Sequence, residues 1–167
     1  RHHCLPRRNR LLLTFTEEDL VHHVGRELRA RGFVMLAECS SQGSAFRYAL
    51  GPGRWKAPDI VAARNGVLLV GEAKVRAAEL FRARPGYISD AAALESLRSS
   101  QSLTKKILLE AATRLRVLGL EKAFLIVPLL CASDGVWPKL PESFLIIDAD
   151  PLRFDVLAIP AGEMGSI

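Results

Sequence analysis

The pair Asn65-Gly66 constrains the fold more than any other feature of this sequence, because it joins two short apolar runs at residues 60–63 and 67–70. An Asn-Gly pair between β-prone runs predicts a tight hairpin, since both turn residues must adopt positive φ. Both runs are apolar on both faces of the expected strands. This pattern predicts a central pair of strands that is covered on each side of a sheet.

The register of this hairpin places charged side chains together. With a two-residue loop, Arg64 lies opposite Val67, and counting outward brings Asp59 opposite Glu72. The two-residue period of a strand then puts Lys74 on the same face as Glu72. Because like charges directly opposite each other destabilise a hairpin, the two carboxylates predict a cation between them.

These residue types suit metal-assisted hydrolysis of a phosphodiester. Hard divalent cations such as Mg²⁺ or Mn²⁺ bind oxygen ligands, which Asp59, Glu72 and the carbonyl of Ala73 would provide. The compact ammonium of Lys74 would orient an attacking water molecule or stabilise the transition state. A strand end that can bring together a metal ion, a water molecule and an ammonium group has what metal-assisted hydrolysis needs, so the sequence predicts a hydrolytic site.

Pro58-Asp59, followed after an apolar strand by Glu72-Ala73-Lys74, resembles the PD-(D/E)xK nuclease superfamily. The resemblance covers roughly residues 16–75, with a plausible helix and strand continuation to about 149. It implies a restriction-endonuclease-like fold, Asp59 and Glu72 as metal ligands, and Lys74 as the catalytic lysine.

The resemblance also implies a carboxylate from the first helix at the metal site. The candidates are Glu17, Glu18 and Glu27, of which we select Glu18. Compensation of the helix dipole is the alternative role for acids in a first helical turn. The Ser- and Gly-containing turn at residues 40–44 is similar to one in archaeal Holliday-junction-resolvase-like members.

Periodicity and capping signals predict the remaining elements. They are a helix over 17–31, strands over 33–38 and 45–50, a helical stretch over 89–118, and strands over 123–130, 143–147 and 154–159. Serines at 99, 100 and 102 weaken the long stretch, so two helices with a kink are an alternative. We expect an α/β domain with a mixed central sheet and helices on both faces.

Basic and aromatic side chains near the predicted site are candidates for contacts with nucleic acid. They are Arg54, Trp55, Lys56, Arg76, Arg82, Arg84 and Gln101. Gln101 is included because some superfamily members carry a Gln-xxx-Tyr motif on this helix, although Lys105 replaces the Tyr here. The alternatives are a rim position for Trp55 and a solvated connector for residues 79–87.

Composition favours a polyanionic partner. The chain has 167 residues and a formal net charge of +5. We expect DNA as the partner, with RNA not excluded, and a homodimer or a subunit of a larger complex. The three cysteines form no CxxC pair, which favours a reducing cytoplasm. No apolar run is long enough to predict a membrane span.

The predicted organisation is a basic flexible arm at 1–13, one nuclease-like domain at 14–160 and a loose tail at 161–167. The predicted function is that of a metal-dependent DNA endonuclease. One alternative is a non-catalytic nucleic-acid-binding or assembly module that retains the nuclease fold. Another is a hydrolase of a different class built on Asp148 and Asp150, although the Asp-Pro ending favours a turn cap there.

Overall fold

The computed structural model describes residues 15–167, so the predicted arm at 1–13 lies outside the described residues. The helices are α1 (Glu17–Ala30), α2 (Asp90–Ser99) and α3 (Gln101–Val117). The strands are β1 (Val34–Ala37), β2 (Tyr48–Gly51), β3 (Arg54–Lys56), β4 (Ile60–Arg64), β5 (Val67–Ala73), β6 (Leu125–Ala132), β7 (Leu145–Asp150) and β8 (Arg153–Ala158). Short 3-10 helices occur at Ser44–Phe46 and Ala77–Phe81.

Six strands form one mixed sheet in the order β1-β4-β5-β6-β7-β8. Strands β5, β6 and β7 are mutually parallel, and the other neighbouring pairs are antiparallel. Strands β2 and β3 form a separate antiparallel hairpin. Helices cover the sheet, which confirms the predicted α/β class and the mixed central sheet.

The hairpin of β4 and β5 has the predicted register. Asn65 and Gly66 adopt φ values of 50° and 82°, as a two-residue turn of this kind requires. All five paired positions of β4 and β5 follow the expected counting. The regular pairing ends at Ile60 and Gly71, because the amide of Asp59 donates to the carbonyl of Gly71 at 3.0 Å, one residue out of step with the ladder. The carboxylate of Asp59 accepts from the amide of Ala73, which keeps Asp59 beside the end of β5.

The sheet separates two hydrophobic cores. Alternate residues of β4 point to opposite faces, so Ile60 packs in the core beneath α1 and Val61 packs in the core beneath α2 and α3. Leu28 of α1 and Leu94 of α2 are buried in these two cores. Each fully buried side chain of this size contributes roughly 1.5–3 kcal/mol, so β4 and β5 are held from both sides.

Side-chain caps fix where the helices begin. The hydroxyl of Thr16 accepts from the amide of Asp19, and the carboxylate of Asp19 accepts from the amide of Thr16, which forms a capping box. Ser100 separates α2 from α3 and caps α3 through the amide of Leu103. The predicted alternative of two helices over 89–118 is therefore confirmed.

Two predicted segments differ in the structure. The strand predicted over 45–50 begins as a 3-10 helix, because Phe46 turns into the core before β2 starts at Tyr48. Residues 161–167, expected to be a loose tail, contact the domain through a Glu163–Arg98 ion pair and through packing of Met164 against the α1-side core. Within the described residues, no helix has both the length and the apolar character needed to cross a membrane.

Candidate functional site

One edge of the sheet collects the charged residues of interest. Because β5, β6 and β7 are parallel, their carboxyl ends lie at the same edge, and β4 begins there because it runs antiparallel to β5. Helices α1 and α2 also bring their first residues, Glu17 and Asp90, to this edge, where each contacts a lysine. In open α/β sheets, the carboxyl ends of the strands are the usual place for a binding site.

Glu72 lies at the centre of this edge and is completely buried. Its Oε1 accepts a hydrogen bond from the hydroxyl of Tyr48. Its Oε2 is 3.2 Å from Nζ of Lys56, but this contact lacks hydrogen-bond geometry, so Oε2 has no hydrogen-bond partner. Burial first, and then the negative charge of Asp59, raise the pKa of Glu72 well above its usual range.

Asp59 is held beside Glu72 by the backbone of β5. Its Oδ2 accepts from the amide of Ala73 at 3.0 Å. This contact fixes the carboxylate at the start of β4, opposite the end of β5. The two carboxylates that the hairpin register predicts to be neighbours are therefore neighbours in the structure.

Lys74 contacts the first residue of α1. Its Nζ lies 3.5 Å from Oε2 of Glu17. Burial raises the pKa of Glu17, the positive charge of Lys74 opposes that shift, and the charge of Asp59 adds to it. Glu17 is thus the acid from the first helix that lies at this edge.

The selected helix residue, Glu18, lies elsewhere. Its side chain is 80 % exposed and its carboxylate is 3.7 Å from the ring of His22. Consecutive residues of an α-helix point about 100° apart around the axis, so Glu17 and Glu18 cannot both face the sheet edge. In place of Glu18, the structure puts Glu17 beside Lys74.

Lys56 faces inward rather than toward solvent. Its Nζ donates to Oδ1 of Asp90 at 2.8 Å, in addition to the contact with Glu72. Burial alone would lower the pKa of Lys56, but the charges of Glu72 and Asp90 raise it above its ordinary value. The ammonium group therefore stays charged, and its partners are protein carboxylates.

The edge has an excess of acidic groups. Four carboxylates, from Glu17, Asp59, Glu72 and Asp90, surround the two ammonium groups of Lys56 and Lys74. With every group ionised, two negative charges remain unbalanced. Such an excess is relieved by a bound cation or by a proton, and the raised pKa of Glu72 reflects the second route when no cation is bound.

The donor set suits magnesium better than a metal that needs an all-protein cage. Between residues 15 and 167, no three or more His, Cys, Asp or Glu side chains converge closely enough to hold a metal ion. Asp59 and Glu72 provide a pair of carboxylates, and Glu72 has an oxygen without a hydrogen bond. Magnesium often uses one or two carboxylates and keeps several water molecules, so this pair fits. Ala73 adjoins the pair through its amide.

A cleft of about 390 Å³ opens beside these residues. Basic side chains from three segments of the chain line it, together with two acids and two apolar residues: Lys56, Lys74, Arg82, Arg84, Glu79, Asp90, Leu50 and Ile88. The predicted nucleic-acid contacts Arg82 and Arg84 therefore share a cleft with Lys74. Arg76 is exposed and precedes the 3-10 helix at Ala77–Phe81.

The other predicted contacts do not line this cleft. The guanidinium of Arg54 stacks over the ring of Tyr87 at 3.9 Å, which joins β3 to the segment before α2. Trp55 is 53 % exposed and lies near Lys106 of α3. Gln101 lines a separate, mostly apolar groove beside α3.

Sequence reasoning missed Tyr48 and Asp90 as parts of the site. Tyr48 is paired with Lys56 across the β2–β3 hairpin, so both side chains point to Glu72 from one face. Asp90 follows the cap residue Ser89 and begins α2. The start of α2 could be predicted from its cap, but its position over Lys56 depends on packing between distant segments.

Asp148 and Asp150 have structural partners. The indole of Trp137 donates to Asp148 at 2.7 Å, and the guanidinium of Arg153 pairs with both acids. The amide of Leu152 donates to Asp150 at 2.8 Å, which is the predicted turn cap. Their oxygens are therefore engaged by protein groups.

No family model matches this chain, and neither a curated protein nor a solved structure gives a significant match.

Proposed function

We propose that this chain is a metal-dependent nuclease that hydrolyses phosphodiester bonds in DNA as an endonuclease. The observation that carries the proposal is the hairpin register, which brings Asp59 beside the buried Glu72 with Lys74 two residues further along. The PD-(D/E)xK resemblance of these residues supports the same conclusion. The six-stranded mixed sheet with helices on both faces is compatible with the restriction-endonuclease-like fold that we propose.

Each residue has a role that follows from its position. Asp59 and Glu72 would hold a magnesium or manganese ion between them, with Asp59 oriented by the amide of Ala73. When bound, such an ion activates water and neutralises charge on the phosphate. Lys74, which is partly exposed at the cleft, would orient the attacking water or stabilise the transition state. Glu17 would hold the ammonium of Lys74 in position.

The cleft supports a phosphate-containing substrate. Arg82 and Arg84 are exposed at its wall, where they would contact the backbone of the nucleic acid. Contacts of this kind position the substrate without reading its sequence. Specificity would therefore come from the structure of the DNA, from a homodimer or from a larger complex.

Cleavage of supercoiled plasmid, linear duplex, single strand and four-way junction, with Mg²⁺, Mn²⁺ or EDTA, tests the proposal. We expect metal-dependent cutting, and we expect Asp59→Asn, Glu72→Gln and Lys74→Met each to lower the rate by at least ~10²-fold, the scale of lost electrostatic stabilisation. Glu95→Gln, an exposed acid on α2, and Lys106→Met, near Trp55, are matched controls that should retain activity. Cutting that survives all three site substitutions would place the catalytic centre elsewhere.

A non-catalytic nucleic-acid-binding or assembly module is the second candidate. The observation that favours it is the engagement of Glu72 by Tyr48 and Lys56, which leaves this carboxylate balanced by protein groups. This candidate is favoured over the nuclease if the protein binds DNA but does not cleave it with either Mg²⁺ or Mn²⁺, and if Glu72→Gln binds DNA as tightly as the wild type does.

A further inference from the structure

The lysine that contacts Glu72 is not the lysine of the Glu72-Ala73-Lys74 motif. Nζ of Lys56 lies 3.2 Å from Oε2 of Glu72, whereas Lys74 pairs with Glu17. The site therefore contains two lysines with different partners. One of them faces the same carboxylate oxygen that a divalent cation would need.

The β2–β3 hairpin supplies two side chains that contact the Glu72 carboxylate. Tyr48 and Lys56 are direct partners across the hairpin. The hydroxyl of Tyr48 holds Oε1, and the ammonium of Lys56 stands at Oε2. The carboxylate is thus oriented by one group and neutralised by the other.

The two contacts of Lys56 are unequal. Its hydrogen bond goes to Asp90 at 2.8 Å, while the contact with Glu72 is longer and lacks hydrogen-bond geometry. Lys56 would therefore keep a charged partner at Asp90 if Glu72 turned to another cation. Asp90 is the first residue of α2, so the helix anchors this second partner.

We propose that Lys56 is an internal counter-ion that competes with the divalent cation for Glu72, with Asp90 as the partner that retains it. This inference rests on the proposed metal site of Asp59 and Glu72. It assigns to Lys56 control over how tightly that site binds metal, in place of the contact with nucleic acid that its sequence position suggested.

Binding of Mn²⁺ alone, measured by isothermal titration calorimetry without nucleic acid, tests the proposal. Lys56→Met removes the competing charge, so we expect Mn²⁺ affinity to rise on the order of tenfold, given the strength of a charge pair at this distance and its screening. Lys106→Met removes one ammonium group outside the site and should leave the affinity unchanged.

A double-mutant cycle with Asp90 separates competition from a general change of charge. Asp90→Asn weakens the second partner of Lys56 and should lower Mn²⁺ affinity by strengthening the hold of Lys56 on Glu72. In the Lys56→Met background, Asp90→Asn should change the Mn²⁺ affinity less, because Asp90 then acts on the ion only as a more distant negative charge. The cycle also gives an expected result for Asp90→Asn alone if Lys56→Met does not fold.

The outcomes distinguish this inference from the proposed function. If Glu72→Gln abolishes Mn²⁺ binding while Lys56→Met leaves it unchanged or weaker, the site exists and Lys56 does not compete for it. An Asp90→Asn effect of equal size in both backgrounds overturns the assignment of Asp90 as the second partner. If Glu72→Gln leaves Mn²⁺ binding intact, the proposed metal site fails, and the role of Lys56 fails with it.

Discussion

At the scale of single residues, buried charges in this protein are grouped around opposite charges at two places on the same sheet edge. Glu72 is grouped with Tyr48 and Lys56, and Asp148 is grouped with Arg153. Each acid has one oxygen that contacts a cation without accepting a hydrogen bond, so the difference lies in their neighbours. Asp148 accepts from the indole of Trp137 and from a backbone amide, whereas Glu72 lies beside a second carboxylate, that of Asp59.

This difference predicts opposite roles for the two acids. Asp148→Asn should lower the free energy of unfolding by about 1–3 kcal/mol, because it removes the charge of a buried carboxylate that accepts from Trp137 and pairs with Arg153. The same variant should bind Mn²⁺ as the wild type does. Chemical denaturation and calorimetry measure the two effects.

Asp155→Asn is the matched control for Asp148→Asn. Asp155 pairs with the same residue, Arg153, at 3.0 Å, but its side chain is 53 % exposed. An exposed pair contributes only about 0–1 kcal/mol, so the stability should change little. Loss of Mn²⁺ binding in Asp148→Asn would contradict the site at Asp59 and Glu72.

The site residues fall into two groups, those whose positions follow from local geometry and those that long-range packing brings to the site. Asp59 and Glu72 could be predicted as neighbours, because a two-residue turn fixes the strand register within a few residues of sequence. Tyr48, Asp90 and Glu17 could not, because they reach the site through packing of a hairpin and two helices whose positions no local pattern specifies. The position of Glu17 rather than Glu18 beside Lys74 has the same origin, since it depends on how α1 is rotated on the sheet.

At the scale of elements, the β4–β5 hairpin determines the site because its turn sets which residues face each other. Gly66 has φ of 82°, a region in which a residue with Cβ is strained. A Cβ at this position would also overlap the ring of Phe124. The turn thus depends on glycine for two separate reasons.

Gly66→Ala should lower the free energy of unfolding by about 1–3 kcal/mol, which combines backbone strain with displacement of an aromatic ring. Gly53→Ala tests strain alone, since Gly53 has φ of 67° and no atom near its Cβ position; a cost of about 1 kcal/mol is expected. Gly165→Ala has open space and ordinary φ, and should cost little. Equal losses at Gly53 and Gly66 would show that the ring contact has no energetic weight.

Elements were predictable where the hydrophobic pattern was long or the cap was clear. α1 begins where Thr16 predicted, and the serine at position 100 divides α2 from α3. β3 was missed because it has three residues, two of them basic, directly after Gly51-Pro52-Gly53. Its pairing with β2 comes from tertiary packing of Tyr48, which outweighs the local preference for a loop.

At the scale of the whole molecule, the α/β class could be predicted but the strand order could not. The order of helices and strands along the chain predicts an α/β domain. The parallel pairing of β5 with β6 joins segments that are separated by about fifty residues, and no local sequence pattern specifies such a pairing. That pairing brings the carboxyl ends of β5, β6 and β7 to one edge. The edge that holds the candidate site is therefore a consequence of long-range topology acting on a locally specified hairpin.

The distribution of charge over the molecule gives the last prediction. The chain carries a net charge of +5, and part of its basic surface lies at the cleft, where Arg82 shares the wall with Lys74. Lys122 is also exposed, but it lies near Phe124, whose amide donates to the carbonyl of Gly66 at the turn end of the hairpin. Arg82 and Lys122 therefore lie near opposite ends of β5.

If DNA occupies the cleft, Arg82→Gln should weaken duplex binding and reduce the slope of log affinity against log salt by about 0.9, the loss of one phosphate contact. Lys122→Gln removes the same charge from the far end and should leave the slope unchanged. Fluorescence anisotropy over a series of KCl concentrations measures both, with EDTA present so that cleavage does not interfere. Equal changes in the two variants would mean that DNA is held by net charge alone, whereas a change confined to Lys122→Gln would move the binding surface to the turn end of the sheet.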